Sequence, residues 1–555
     1  MPEDGSRPLL SDDRPARQIT FAELVAARAD DDRPGLKFED RSWTWREIVT
    51  EARLRAGLAR DLRRLGPWHI GLFLENTPEH LFWLLGAALA GATVIGVNPT
   101  RRGAELAGDI DFTDCQLLIT ETGRRHLLDG LTLDCWDRVL ITDSDECATA
   151  LAGTAPLAIS AHAAVDAGGA VVPPETYFSL IFTSGTTSAP KAVICTQGRI
   201  GRIALQQRRR RNLGPDDVFY VVMPMFHSNA IMAGIAPAVA SGGCVVLRRK
   251  FSASAFLPDV RKYGVTFFNY VGKPLNYILA VPERPDDADN PLRIAFGNEA
   301  GDRDIEEFGR RFGCTVIDSY GSSEGEIRLN RVPGTPPGSL GVSEAGTIVV
   351  DPETLKECPR AEFDESGALL NAEQAIGEIV NTVGAAAFEG YYKNPEATAA
   401  RIRGGWVWSG DLAYRDAEGF WYFAGRNSDW LRVDGENFAT APVERLLARF
   451  EAFADVAVYA VPDPAVGDQV MAAVVLADGH AFDAERFADF LGRQPDLGTK
   501  WVPRYVRIMA DLPRTATSKV VKRPLRDEAW HTADPVFVRH GTALAYEPIV
   551  PETTP

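Results

Sequence analysis

The chain has 555 residues, of which 45% are hydrophobic and 24% charged, the balance of a soluble globular protein. That length exceeds what one compact core fills and predicts two or three domains. A formal net charge of −17 argues against nucleic acid as a partner, while leaving room for a locally basic pocket that takes an anionic nucleotide.

The seven cysteines (115, 135, 147, 195, 244, 314 and 358) are scattered and form no Cys-x-x-Cys pair. They predict reduced, mostly buried thiols in a cytoplasmic protein, not a disulfide or zinc framework. The first residues, Met1-Pro2-Glu3-Asp4-Gly5, are acidic and carry no apolar h-region, so no secretory signal is expected. Residues 1–17 are polar and are expected to be disordered.

From Phe21 onward helices and strands alternate. Residues 47–65 have apolar residues at helical spacing, and 70–74 form a short apolar strand. The run 81–97 is nearly uncharged and about long enough to suggest a membrane span. Thr77 and Pro78 make a helix start before it, and Gly86 and Gly91 interrupt it. A core helix followed by a core strand is therefore expected. Further strands are predicted at 115–119 and 138–141, and the alternation implies parallel sheets with helices on their faces.

The apolar strand 177–181 leads into Phe182-Thr183-Ser184-Gly185-Thr186-Thr187-Ser188-Ala189-Pro190-Lys191-Ala192, and a second strand follows at 193–195. Such a loop brings backbone N–H groups, hydroxyls and the Lys191 cation to one small volume, which suits polyphosphate. It is not a Walker A loop, because Pro190 and Ala192 stand where Gly and Ser/Thr belong. The basic run at 206–211 is expected on a solvated helix face, with contact to the phosphates of a large cofactor as the alternative.

Beyond the strand 218–222 comes Met223-Pro224-Met225-Phe226-His227-Ser228, which puts His227 just past a buried strand end, where ligands bind in open α/β sheets. Residues 294–300 read as a strand running into a Gly turn at Gly297-Asn298-Glu299, and Ile305, Phe308 and Phe312 mark one helix face closed by Gly313. The next strand, 315–317, leads to Asp318-Ser319-Tyr320-Gly321-Ser322-Ser323-Glu324. There an aromatic ring can stack on a base, and a carboxylate four residues on can hold Mg²⁺. Asp411 follows in a Trp-Ser-Gly-Asp-Leu run, well suited to accept from a ribose diol, and Lys519 stands in the polar stretch 512–522.

In this order the motifs resemble those of the adenylate-forming superfamily of acyl-CoA synthetases, adenylation domains and luciferases, over residues 20 to 548. Ser188 and Ala192 depart from the family's phosphate loop, where Gly is usual. The resemblance implies that Thr183, Ser184, Gly185, Thr186, Thr187 and Lys191 hold the triphosphate of ATP. It implies that Gly297, Asn298, Glu299, Asp318, Ser319, Tyr320, Gly321 and Ser322 border the adenosine, with Ser323 on the α-phosphate and Glu324 on Mg²⁺. Asp411 and Arg426 would hold the ribose, and His227 would gate a carboxylate pocket lined by Asn229, Ala230, Val271 and Gly272. Ser428 matches the hinge position, Gly435 and Glu436 the turn near the pantetheine of CoA, and Lys519 the catalytic lysine of the C-terminal loop.

Residues 268–279 and the tail 535–548 further resemble fatty acid transport proteins and the actinobacterial ligases for fatty acids and steroid side chains. The implied fold is α/β: a large N-terminal domain of helix-flanked sheets (18–426), a small mobile α+β domain (427–530) and an extension (531–555). The implied activity is an AMP-forming ligation of a hydrophobic carboxylic acid to CoA, in the cytoplasm, with peripheral membrane contact and a homodimer left open. Three alternatives stand beside it: an adenylating enzyme that loads a carrier-protein pantetheine, a membrane-associated fatty acid uptake component, and an inactive homologue.

Overall fold

The computed structural model describes residues 18–159, 172–183, 191–321, 324–325, 327–364, 369–383, 388–426, 430–433, 436–463, 467–494, 497, 500–515, 520–541 and 543–549. Four sheets carry the chain. The first has six strands, ordered Val139–Ile141, Cys115–Thr120, His69–Phe73, Thr93–Gly96, Tyr177–Thr183 and Lys191–Thr196. Its pairings are parallel until the last, antiparallel one. The second has nine strands and a parallel centre built from Thr315–Gly321, Ile294–Asn298, Phe267–Val271, Val218–Val221, Cys244–Leu247 and Pro34–Phe38. One apolar core joins the two, with Ile70, Leu72, Phe178 and Val193 of the first meeting Phe219, Val245 and Phe268 of the second.

The apolar run at 81–97 resolves as expected. Helix Pro78–Ala90 starts at Thr77, whose side chain accepts from the His80 amide, and ends at Gly91 in the left-handed conformation. Strand Thr93–Gly96 follows, fully buried. Helix Trp45–Asp61 crosses this helix so closely that a Cβ on Gly86 would lie 2.6 Å from the Ala52 carbonyl oxygen. No helix among the described residues is long and apolar enough to cross a membrane.

The expectation of parallel sheets holds for the centres of these two and fails for the third. Strands Thr347–Val350, Gly377–Asn381, Trp406–Arg415 and Trp421–Arg426 pair antiparallel throughout. Trp406–Arg415 and Trp421–Arg426 are joined by a short turn, which antiparallel neighbours permit, while the longer connections before them carry the short helices Ala372–Ala375 and Pro395–Arg401. The fourth, seven-stranded sheet has its own apolar core of Leu431, Val443, Phe450, Val458, Val474, Phe487 and Val506. Strands Val536–Arg539 and Tyr546–Pro548 extend that sheet, and the Tyr546 hydroxyl donates to the Pro503 carbonyl at 2.8 Å. All cysteines are free, and every one except Cys314 is buried.

Candidate active site

Four strands of the nine-stranded sheet end on one cavity of about 2290 Å³, which gathers His227, Asn229, Gly272, Asn298, Tyr320 and Glu324 along its wall. Ligands gather at strand carboxyl ends in open α/β sheets because the loops there diverge and leave a crevice.

The strongest electrostatic feature is built around Glu324, whose side chain is buried. Its Oε1 accepts from the Tyr391 hydroxyl at 2.7 Å and faces Nη2 of Arg401 at 3.4 Å. The Glu324 backbone carbonyl accepts from Arg199 Nη2 at 2.5 Å. Arg401 also donates to the Tyr391 hydroxyl at 3.1 Å and to the Trp408 carbonyl at 2.8 Å. Burial opposes its charge, but Glu324, Tyr391 and Asp411 raise its pKa overall. Lys191 opens the strand Lys191–Thr196 and lies 6.0 Å from the centre of the Tyr391 ring. Burial and then Arg401 lower its pKa, against the pull of Glu324. A lysine and an arginine thus share one carboxylate at the cavity wall, an arrangement that accommodates further negative charge, as polyphosphate brings.

A second group lies along strand Trp406–Arg415. The Asp411 carboxylate accepts from the Tyr320 hydroxyl, and Asp411 sits in register opposite Arg426. The Gly410 amide donates to Glu378 Oε1 at 2.7 Å, and that buried carboxylate pairs with Arg403 at 3.0 Å. The strand segment that presents Asp411 is therefore braced by its neighbour. The Tyr320 ring lies 6.3 Å from that of Phe423.

The third group holds the strand ends together. Asn298 donates from Nδ2 to the Ser319 carbonyl at 2.6 Å, and Ser319 donates to the Gly297 carbonyl at 3.3 Å. Position 297 must be glycine, since a Cβ there would overlap the Tyr270 carbonyl oxygen. Asp318 is buried, accepting from the Tyr270 hydroxyl at 2.8 Å and the Ala300 amide at 3.1 Å. Burial pushes its carboxyl pKa up to about 7.

The fourth group is the turn bearing His227. The Asn76 side chain spans it, donating to the Met223 carbonyl and accepting from the Met225 amide, both at 2.9 Å. The His227 amide donates to the Pro224 carbonyl at 3.1 Å, and its ring lies 4.2 Å from that of Phe226. Asn229 donates to the Tyr270 carbonyl at 3.2 Å and accepts from Asn269 at 2.7 Å. A π-helical turn, Ala230–Ile235, follows. Such turns re-aim side chains within a helix and recur at functional sites. Ala230, its first residue, is fully buried and off the cavity wall, whereas Asn229, Val271 and Gly272 line the cavity.

Several predicted residues lie outside the described set: Ser184, Gly185, Thr186, Thr187, Ser322, Ser323, Ser428, Gly435 and Lys519. For Thr183, Arg426 and Glu436 only the backbone is described, in strands Tyr177–Thr183, Trp421–Arg426 and Glu436–Ala439. Flanking Lys519, Thr515 and Val520 both line the cavity. Arg514 pairs with Asp455, which also faces Lys273 of the N-terminal domain at 3.4 Å.

The basic run corrects an expectation. Helix Gln197–Arg210 turns Gln206, Gln207 and Arg210 toward the cavity, and Arg211 follows them there. The face is a wall of the site, not only a solvated surface. Tyr391, Arg401 and Glu378 were not anticipated. The Asn394-Pro395 helix start, with the Asn394 side chain accepting from the Ala397 amide, is the local signal that would have led to Arg401.

Known proteins resemble the chain over most of its length. The model of a family described as AMP-binding enzyme matches residues 23–392, and that of the AMP-binding enzyme C-terminal domain matches 442–519. The chain is 51% identical over 522 residues to steroid-22-oyl-CoA synthetase of Rhodococcus jostii, covering 94% of this chain and 93% of that protein. It is 48% identical over 519 residues to the medium/long-chain-fatty-acid–CoA ligase FadD17 of Mycobacterium tuberculosis, covering 93% and 98%. Its fold matches that of the anthranilate CoA ligase AuaEII in complex with anthranoyl-AMP, with a TM-score of 0.78 at 20% identity over 93% of this chain and 98% of that one.

Proposed function

The chain belongs to the AMP-binding enzyme family, and from that premise we propose that it is an AMP-forming ligase that joins a hydrophobic carboxylic acid to CoA. The relatives named as steroid-acyl and fatty-acid CoA ligases support both the acceptor and the acid class. The observation that carries the reading is the cluster of Lys191, Arg401, Tyr391 and Glu324 on the same cavity as Asp411, Tyr320 and His227.

In the first step a carboxylate oxygen attacks the α-phosphorus of ATP, and the bond to the pyrophosphate oxygen breaks. Lys191 and Arg401 are placed to take up charge on the phosphates, while Asp411 and Tyr320 orient ribose and base. Among the described residues no group of three or more His, Cys, Asp or Glu could hold a metal. One carboxylate shared with substrate phosphates suffices for Mg²⁺, so Glu324 fits as its ligand. Bound there, the ion neutralises phosphate charge. Asn229, Val271 and Gly272 face the acid, with His227 at its entrance. Lys519 bridges the attacking carboxylate and the α-phosphate. In the second step the C-terminal domain turns about Ser428, Gly435 and Glu436 approach the pantetheine arm, and the CoA thiolate attacks the acyl carbon and releases AMP. Buried free thiols support a cytoplasmic setting.

The test is purified protein with ATP, Mg²⁺, CoA and a panel of fatty, steroid and aryl acids, read by pyrophosphate release and by mass spectrometry of the thioester. Pyrophosphate release without a CoA thioester would redirect the reading to a carrier-protein acceptor. Neither product from any acid would overturn it.

A further inference from the structure

The cavity continues away from the phosphate cluster past the π-helical turn, where Met232 and Ala233 face Ile203, Gln206 and Gln207 of helix Gln197–Arg210. These three helix positions are spaced to share one face. An apolar acid running outward from His227 would meet an apolar end wall in the simplest design. Instead the cavity there carries two guanidinium groups, those of Arg211 and Arg328.

Arg211 lies over the Phe296 ring at 3.6 Å and donates to Gln207 Oε1, while its Nε is buried without a hydrogen-bond partner. Phe296 is two residues before Asn298 on the same strand, so the two share one face of the sheet. Arg328 donates to Gln206 Oε1 at 2.9 Å. Among the described residues no carboxylate pairs with either arginine, although neighbouring Arg210 is paired with Glu344 at 2.6 Å. Burial, and then the other arginines, pull the pKa of Arg211 down to about 10; burial lowers that of Arg328 as well, outweighing the opposing pull of the Glu344 carboxylate, which pairs with Arg210. A smaller crevice, walled by Ile317, Val332, Asn330 and Glu344, shares Arg211 with the main cavity. Two partly desolvated cations whose side-chain hydrogen-bond partners among the described residues are neutral amides leave donor capacity that an apolar tail cannot use.

We propose that Arg211 and Arg328 form a remote polar subsite of the acid pocket, selecting hydrophobic acids whose end far from the reacting carboxylate bears an oxygen acceptor. This rests on the acid–CoA ligase reading. A ring carbonyl or hydroxyl of a steroid acid and the second carboxylate of a fatty diacid offer the same chemistry.

The experiment compares kcat/KM for acyl-CoA formation within two matched pairs: a ring-ketone steroid acid against its deoxo counterpart, and a fatty diacid against the monoacid of equal length. The wild-type enzyme should prefer the oxygenated member by at least about tenfold in one pair, as expected when a charged donor gains or lacks its acceptor. The pair that shows the preference identifies the source. In Arg211→Met and in Arg328→Met that ratio should fall toward one, and Arg211→Lys should keep part of it. A wild-type ratio at or below one in both pairs, or a ratio unchanged in both methionine variants, would overturn the inference. Turnover of plain acids without oxygen preference defeats the subsite alone, whereas no thioester from any acid defeats the ligase reading beneath it.

Discussion

Replacing Arg401 by methionine tests the phosphate cluster most sharply. The guanidinium donates to the Trp408 carbonyl at 2.8 Å and the Tyr391 hydroxyl at 3.1 Å, and it faces Glu324 at 3.4 Å. A hydrogen bond with a charged partner contributes about 1.5–3 kcal/mol. The side chain is 27% exposed and its contact to Glu324 is long, so the lower end applies and the contacts do not add. A stability loss of about 2–4 kcal/mol follows, which in a domain this large lowers Tm by less than about 10 °C. The effect on turnover should be larger. A cation aimed at charge that develops in the transition state is worth about 10²–10³ in kcat. Tyr391→Phe, which removes the hydroxyl that donates to Glu324 at 2.7 Å and accepts from Arg401 at 3.1 Å, should cost at least about tenfold by the loss of hydrogen bonds to charged groups. Pyrophosphate release at saturating ATP and acid measures the effect on turnover, and differential scanning fluorimetry measures the effect on stability. A folded Arg401→Met protein with kcat within about threefold of wild type, well short of the range above, would refute the placement of Arg401 in the phosphate site.

Two further perturbations probe the strand ends. Gly297→Ala drives a Cβ into the Tyr270 carbonyl oxygen and should destabilise by about 1–3 kcal/mol through overpacking; weakened binding of a non-hydrolysable ATP analogue by calorimetry is the expected sign, and unchanged binding and Tm would contradict it. Asp318 carries a carboxyl raised from 3.8 to about 7 by burial. The folded state therefore holds that proton more tightly than the unfolded chain does. The associated stability is complete below about pH 4 and is lost as pH rises through about 7. Asp318→Asn keeps an acceptor for the Tyr270 hydroxyl and the Ala300 amide, so urea melts of the variant should lose the part of the wild-type decline between those pH values. Parallel declines in both proteins would count against the burial argument.

Local chemistry was legible where a motif and its geometry lie within a few residues. The cap at Thr77 and the left-handed stop at Gly91 turn an apolar run into a helix and a strand, and the Thr-Pro-Glu start already said so. Tyr320, Glu324 and Asp411 could be singled out because each stands in a short, distinctive run of sequence, and the structure lines one cavity with all three. What escaped depends on contacts distant in sequence. Arg401 approaches Glu324 from 77 positions along the chain, and Glu378 supports Gly410 from a neighbouring strand of the antiparallel sheet. The basic run was placed toward solvent because charge alone does not say which helix face meets a cavity. Its four arginines differ: Arg209 is exposed, while Arg211 stacks on Phe296. The π-helical turn after Asn229 has no reliable residue pattern, since it arises where packing forces one extra residue into the helix.

The central claim is that one protein first adenylates an acid and then hands the acyl group to CoA, with Lys519 serving the first step alone. The most direct measurement takes wild type and Lys519→Ala through each half-reaction separately. Pyrophosphate release from ATP and the cognate acid should be lost in the variant, while it still converts preformed acyl-adenylate and CoA to the thioester. Near-normal pyrophosphate release by the variant, or loss of both half-reactions in a protein that still binds ATP, would contradict the account.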